Sequence, residues 1–110
     1  MNIHLTDKKC VACEGGIPPL MEAEILTFKP QVPAWAVSSD TKSISRKFVF
    51  KDFKEALAFV DTVGALAEAE GHHPDINLFG FKNVLITLST HAIGGLSEND
   101  FIVAAKIDLL

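Results

Sequence analysis

Two adjacent histidines followed by a proline, His72-His73-Pro74, place the strongest constraint on the fold of this chain. Neighbouring side chains point in different directions on a helix or a strand, so two imidazoles can share a target only from a loop. Pro74 fixes its own backbone angle and biases His73 towards an extended one. The helical pattern before the triplet ends near Glu70, with Gly71 as its stop signal. The triplet is therefore predicted to form a loop that directly follows a helix.

The helix that leads into this loop is the longest periodic segment of the chain. Asp52, followed three residues later by Glu55, forms a variant of the helix capping box. Apolar and small residues then recur at helical spacing: Phe53, Ala56, Leu57, Val60, Gly64 and Ala67. We predict the main helix from about Asp52 to Glu70, with these residues on its apolar face.

Shorter patterns on either side complete the predicted order of elements. They indicate a helix from Pro19 to about Phe28, a hairpin from Ala34 to Phe50, a strand from Val84 to His91, a turn at Gly94-Gly95 and a helix from Ser97 to about Asp108. The full order is helix, two strands, long helix, one or two strands and final helix. Because it lacks regular βαβ alternation, we expect an α+β fold with helices on one face of a small antiparallel sheet.

Composition limits the kinds of partner that this chain can bind. Its 110 residues are the usual size of one domain, and 48% hydrophobic with 22% charged residues is ordinary for a globular protein. The net charge of -4 argues against a nucleic-acid surface. No window approaches the roughly 18 apolar residues of a membrane helix, and the N-terminus lacks a signal-peptide pattern. We therefore expect a cytoplasmic protein without a membrane or nucleic-acid partner.

Three of the four histidines are candidates for proton transfer. His72 and His73 follow a helix C-terminus, where the helix dipole favours a positive charge, and an imidazole can act as an acid in one step and a base in another. The alternative is two surface histidines that cap helix carbonyls. His91 ends a strand on the more polar face of the predicted sheet, where a histidine can also be merely exposed.

Other polar residues near the histidines each allow two interpretations. Asp100 can accept a hydrogen bond from an imidazole or serve as the capping-box acceptor of the last helix. Glu68 can pair with a histidine or lie on a solvated helix face. The three histidines together could bind zinc, although adjacent histidines rarely reach one ion. Cys10 and Cys13 could be half of a zinc site, a redox pair or a structural turn, and no second cysteine pair exists.

Taken together, the spacing Glu68-x3-His72-His73-Pro74-x6-Phe81-x9-His91-x8-Asp100 resembles the signature of the pterin-4a-carbinolamine dehydratases. The resemblance covers roughly Trp35 to Asp108, through ISRKFVFKDFKEALAFV and ITLSTHAIGGLSENDF. The arm CVACEGGIPPL is similar to that of many bacterial and plant-type members. Residues 1–110 would then form a single family domain, with an irregular arm containing the CxxC pattern over residues 1–18.

The resemblance implies a four-stranded antiparallel sheet backed by helices, a dimer or a dimer of dimers, and a reaction without metal or organic cofactor. That reaction is the dehydration of a 4a-hydroxytetrahydropterin to quinonoid dihydropterin, which recycles a tetrahydrobiopterin-type cofactor. By resemblance, His72, His73 and His91 are catalytic, and the residues expected to bind or orient are Glu68, Pro74, Asp75, Phe81 and Asp100. Phe81 departs from the family, where this position is often tyrosine. Some animal members also stabilise dimers of a transcription factor, so a protein-binding module is the alternative function.

Overall fold

The computed structural model describes residues 4–11 and 18–110. Its helices are α1 (Glu22–Phe28), α2 (Phe53–Glu70) and α3 (Glu98–Ile107), and its strands are β1 (Ala36–Val37), β2 (Ile44–Val49), β3 (Asp75–Phe79) and β4 (Asn83–Leu88). Short 3-10 turns lie at Leu5–Asp7, Lys29–Gln31 and His91–Ile93. This is the predicted order of elements, with two strands after the long helix.

The four strands form one antiparallel sheet in the order β1-β2-β4-β3. On β4 the side chains of Val84, Ile86 and Leu88 are fully buried, while the residues between them are partly exposed. This alternation gives the sheet one apolar face. That face packs with α2 and α3 into a single core that contains Val63, Phe101 and other buried residues of both helices. The α+β prediction is confirmed.

Helix α2 begins and ends where the sequence predicts. The Oδ1 atom of Asp52 accepts the backbone N–H of Glu55 at 2.9 Å, which caps the first turn. At the other end Gly71 has a left-handed backbone, φ 67°, and the N–H of His72 donates to the carbonyl of Ala67 at 3.2 Å. This arrangement is a Schellman motif, in which backbone amides satisfy the last helical carbonyls. The imidazoles that follow are therefore not needed as helix caps.

The predicted apolar face of α2 is rotated relative to the buried one. Phe53 and Leu57 remain 49% and 44% exposed, whereas Ala56, Val63 and Ala67 are buried. The buried stripe of α2 thus includes the small side chains of Ala56 and Ala67, and the two larger residues lie outside it. The sequence pattern identified the helix and the buried residues Ala56 and Ala67 correctly, but it wrongly included Phe53 and Leu57 and omitted Val63.

Strand β4 ends at Leu88, three residues before the predicted end at His91. The reason is the length of its neighbours, since β2 pairs with it no further than Leu88 and β3 no further than Thr87. Without a partner strand, the chain closes a small loop in which Thr90 and Gly95 form an isolated bridge. His91 is thus the first residue of a 3-10 turn and not the last residue of a strand.

Candidate active site

A cleft of about 260 Å³ opens at the end of the sheet where α2 ends, β4 ends and α3 begins. The register explains why these ends meet, because Asp75 pairs with Thr87 and so places the loop at residues 71–74 beside the end of β4. The described residues that line the cleft are Val11, Gly71, His72, His73, Ser89, Thr90, His91, Ala92 and Asn99. All three histidines singled out in the sequence therefore face one cavity.

His72 is held by Asp100 at the wall of the cleft. The Nε2 atom of His72 lies 2.6 Å from Oδ1 of Asp100, and the two side chains are 11% and 0% exposed. Asp100 belongs to the first turn of α3, where the helix dipole favours a negative charge. Because the imidazole is almost buried against a fixed acceptor, its ring orientation is set before any ligand binds.

The second carboxylate oxygen of Asp100 accepts two hydrogen bonds. Oδ2 accepts the hydroxyl of Thr90 at 2.8 Å and the backbone N–H of Ser97 at 2.9 Å. The bond to Ser97 is the capping-box contact that begins α3. The two interpretations of Asp100 are thus combined, since one oxygen caps the helix and the other orients the imidazole.

Glu68 reaches His73 and not His72. Its Oε2 atom is 3.3 Å from Nε2 of His73, and the two side chains are 81% and 60% exposed. A pair that long and that solvated contributes little to orientation or stability. His73 therefore lines the cleft as a largely free imidazole.

His91 is exposed and lines the same cleft as His72 and His73. Its position is set by the 3-10 turn, in which the backbone N–H of Gly94 donates to the carbonyl of His91. Although the three imidazoles share the cleft, no group of three His, Cys, Asp or Glu side chains within residues 4–11 and 18–110 is arranged to hold a metal ion. The geometry provides one fixed and two exposed imidazoles around a common space.

The remaining predicted residues lie at differing distances from this cleft. Pro74 is half-buried and leads into β3, of which Asp75 is the exposed first residue. Phe81 lies in the turn at the far end of the β3–β4 hairpin, 59% exposed, with a left-handed φ of 54°. It is at the opposite end of that hairpin from the histidines and is not among the described lining residues. A role for Phe81 stays a prediction.

The sequence reasoning missed two buried polar residues of the site. Thr90 is 4% exposed and also hydrogen-bonds Ser97 at 2.7 Å, and Asn99 is likewise 4% exposed. A threonine that continues an otherwise apolar strand face was a usable signal, because a buried hydroxyl needs a partner. Asn99 had no comparable signal, since its partner lies 88 residues away in the sequence.

Cys10 is a free, half-buried cysteine beside Asn99 and Glu70. Its Sγ lies 3.7 Å from the carbonyl oxygen of Asn99. Burial, reinforced by the negative charge of Glu70, raises the pKa of the Cys10 thiol to about 12. A thiol with so high a pKa is a poor nucleophile near neutral pH. Cys13, the other half of the CxxC pattern, lies outside the described residues.

Comparison with known proteins assigns the family. The family model described as pterin 4 alpha carbinolamine dehydratase matches residues 18–110. The chain belongs to this family. A provisionally named pterin-4-alpha-carbinolamine dehydratase of Halorhodospira halophila is 48% identical over 108 residues, 98% of each chain. A relative from Rubrobacter xylanophilus with the same name is 49% identical over 107 residues, 97% of this chain and 98% of its own.

Two solved structures have folds similar to that of this chain. A transcriptional coactivator/pterin dehydratase from Brucella melitensis superposes with a TM-score of 0.76 at 31% identity, covering 83% of this chain and 96% of the other. A pterin dehydratase-like protein described as a RuBisCO assembly factor in the alpha-carboxysome gives a TM-score of 0.58 at 31% identity, covering 69% of this chain and 87% of the other.

In the described part of the chain, no helix is both long and apolar enough to cross a membrane.

Proposed function

We propose that this member of the pterin-4a-carbinolamine dehydratase family removes water from a 4a-hydroxytetrahydropterin to give the quinonoid dihydropterin, with His72, His73 and His91 as its acid and base groups. The observation that carries the proposal is the buried pair of His72 and Asp100 at 2.6 Å, in a cleft that His73 and His91 also line. The product would re-enter the reduced pterin pool through a reductase, which makes the chain part of tetrahydrobiopterin-type recycling.

The reaction combines the cleavage of one carbon–oxygen bond with two proton transfers. The bond between C4a and the hydroxyl oxygen breaks, the hydroxyl leaves as water after receiving one proton, and the ring nitrogen N5 loses one proton. Neither an oxidant nor a reductant is consumed. An acid and a base must therefore face the same bicyclic ring, and imidazoles suit both tasks because they exchange protons near neutral pH.

The three imidazoles differ in freedom, which supports a division of roles. His72 is fixed by Asp100 and nearly buried, as expected for a group placed against the ring. His73 and His91 are exposed in the cleft and can adjust to the departing hydroxyl. A carboxylate behind His72 fixes the orientation of its ring during turnover. Kinetics of the single-histidine variants assign the acid and the base.

The direct test follows dehydration of a 4a-hydroxytetrahydropterin produced in place by an aromatic amino acid hydroxylase, with a reductase reporting the quinonoid product. The spontaneous rate measured without the protein is the reference. We expect the purified protein to raise the rate in proportion to its concentration. A rate equal to the spontaneous one, with a correctly folded protein, would overturn the proposal.

A protein-binding role is the second candidate, and the outer stripe of α2 is the feature that favours it. Phe53 and Leu57 are 49% and 44% exposed and lie one helical turn apart on α2. The solved relatives described as a transcriptional coactivator and as an assembly factor make such a role plausible for the same fold. Homo-oligomerisation, as a dimer or tetramer, would also cover this stripe.

Light scattering on the wild type and on Phe53→Ser/Leu57→Ser, together with the turnover assay and co-purification, separates self-association from partner binding. A wild-type dimer or tetramer that the double variant dissociates assigns the stripe to self-association. A monomeric wild type that turns over no 4a-hydroxypterin but retains a helical partner would favour the binding module over the dehydratase.

A further inference from the structure

The short segment Lys8–Val11, called here the arm segment, is bound to both α2 and α3. Glu70, at the end of α2, accepts the backbone N–H of Cys10 through Oε1 at 3.0 Å. Its other oxygen, Oε2, pairs with Lys106 of α3 at 2.7 Å. Lys8 forms a second ion pair with Glu98, also at 2.7 Å. These contacts fix the course of the arm segment across the junction where α2 ends and α3 begins.

Asn99 fixes the end of the arm segment in two directions at once. Its Oδ1 accepts the backbone N–H of Val11 at 3.1 Å, and its Nδ2 donates to the carbonyl of Val11 at 2.7 Å. The side chain of Asn99 is committed to this single backbone residue and is 4% exposed. Since Asn99 precedes Asp100, adjacent residues of one helical turn hold Val11 and His72.

Val11 faces the cleft from this position. Its side chain is 73% exposed although its backbone is anchored, so it is not part of the core. Among the described residues that line the cleft, Val11 and Ala92 are the only ones with purely aliphatic side chains. Binding sites for flat heterocycles combine a few polar groups with apolar contact area. Of these two described residues, Val11 has the larger aliphatic side chain.

We propose that the arm segment forms one wall of the pterin-binding cleft, that Val11 contacts the ring of the bound pterin, and that Asn99 is a positioning residue that holds Val11 there. The proposal rests on the proposed dehydratase function. It gives the region before residue 12, whose Leu5 is buried in the core, a part in substrate binding as well as in packing.

Steady-state kinetics and binding of a non-reacting pterin, 7,8-dihydrobiopterin, test this proposal together. We expect Val11→Ala to raise KM and the Kd of 7,8-dihydrobiopterin about 5-fold, because two methyl groups of contact are lost, with kcat unchanged. Asn99→Ala should raise both constants by at least as much, since the Val11 end of the arm segment is released. In the Asn99→Ala background, Val11→Ala should have little further effect, as expected for residues that act through one contact.

Val49→Ala is the matched control, because Val49 is 59% exposed on β2 and does not line the cleft. It should leave KM, kcat and Kd unchanged. Thermal unfolding identifies any variant that is simply destabilised, and Val11→Ala remains informative even if Asn99→Ala folds poorly, because its side chain is exposed.

The outcomes separate the two proposals. Normal wild-type turnover with an unchanged KM and Kd in Val11→Ala overturns the arm proposal and leaves the dehydratase function intact. A reduced kcat with an unchanged KM also overturns it, because the arm would then affect chemistry and not binding. A wild type that neither turns over the 4a-hydroxypterin nor binds 7,8-dihydrobiopterin overturns both.

Discussion

Asp100 joins two tasks in one carboxylate, since Oδ1 lies 2.6 Å from Nε2 of His72 while Oδ2 accepts the N–H of Ser97 at 2.9 Å. Helix α3 and the most buried imidazole of the cleft therefore depend on the same fully buried side chain. This coupling determines how substitutions around the site should behave.

Asp100→Asn tests the orientation of His72. The hydroxyl of Thr90 and the N–H of Ser97 both require an acceptor, so the amide oxygen should face them and the NH₂ group should face His72. His72 must then accept at Nε2, so its ring is held in the other tautomer, with the hydrogen on Nδ1. We expect kcat/KM to fall about 10- to 100-fold, as for other carboxylates that orient an active histidine. Steady-state kinetics measure the change.

Glu68→Gln provides the contrast for Asp100→Asn, because it also alters a carboxylate beside a histidine. Its contact with His73 is 3.3 Å long and highly exposed. We expect kcat/KM to stay within about 2-fold of the wild type. Equal losses in the two variants would contradict the distinction between the fixed and the free imidazole.

Replacement of each cleft histidine by alanine tests acid-base catalysis. We expect His72→Ala, His73→Ala and His91→Ala to lower kcat about 10²-fold or more where the imidazole transfers a proton in the transition state. His4, the fourth histidine, is exposed and does not line the cleft, so His4→Ala is the control. Wild-type rates in both His72→Ala and His91→Ala would refute histidine catalysis.

Thr90→Val removes one of the donors to Asp100 while keeping the size of the side chain. Removing one hydrogen-bond donor from a buried carboxylate oxygen should lower the free energy of unfolding by about 2 kcal/mol. Because the bond to His72 involves the other oxygen, kcat/KM should fall less than in Asp100→Asn. Chemical denaturation and kinetics give the two quantities.

Thr90→Ser restores the hydroxyl and serves as the rescue variant for Thr90→Val. It should recover most of the activity, although it loses a buried methyl group. If Thr90→Val were as stable as the wild type, the hydrogen bond between Thr90 and Asp100 would have no energetic role.

Cys10 should resist alkylation far above neutral pH. Burial and the nearby Glu70 raise the pKa of its thiol from 9.0 to about 12. In Cys13→Ser, the alkylation rate of Cys10 should therefore keep rising with pH up to about 12, instead of levelling near 9.0 as in the unfolded chain. The unfolded chain loses this proton first, so the free energy of unfolding should fall as the pH rises through that window.

Mass spectrometry after timed exposure to iodoacetamide measures the alkylation rate, with the protein in guanidinium chloride as the reference. A folded-state rate that levels near pH 9.0, as it does for the unfolded chain, would show that the thiol is not perturbed.

Local patterns predicted the parts of the fold that local chemistry decides. Asp52 and Gly71 correctly bounded α2 because caps act within one turn of the helix. The pairing of Ser97 with Asp100 correctly began α3 for the same reason. The family was also recognised from the spacing of the histidines, and the comparisons confirm it.

Tertiary packing decided the features that the sequence did not predict. The exposure of Phe53 and Leu57 depends on which side of α2 meets the core, and several stripes of that helix are apolar. The end of β4 depends on the lengths of β2 and β3. The contact of Asn99 with Val11 joins residues 88 apart, which no periodicity reveals.

Gly71, whose left-handed backbone ends α2, marks a point at which the length of this chain is constrained. An α-helix turns by about 100° per residue, so one residue added to or removed from α2 would swing the following loop to another side of the helix axis. His72 would then point away from Asp100, although the imidazole itself would be unchanged. Loop insertions near Phe81, at the far tip of the hairpin, carry no such penalty. The chain should therefore tolerate insertions and deletions at the β3–β4 turn near Phe81, but not at the end of α2 before His72.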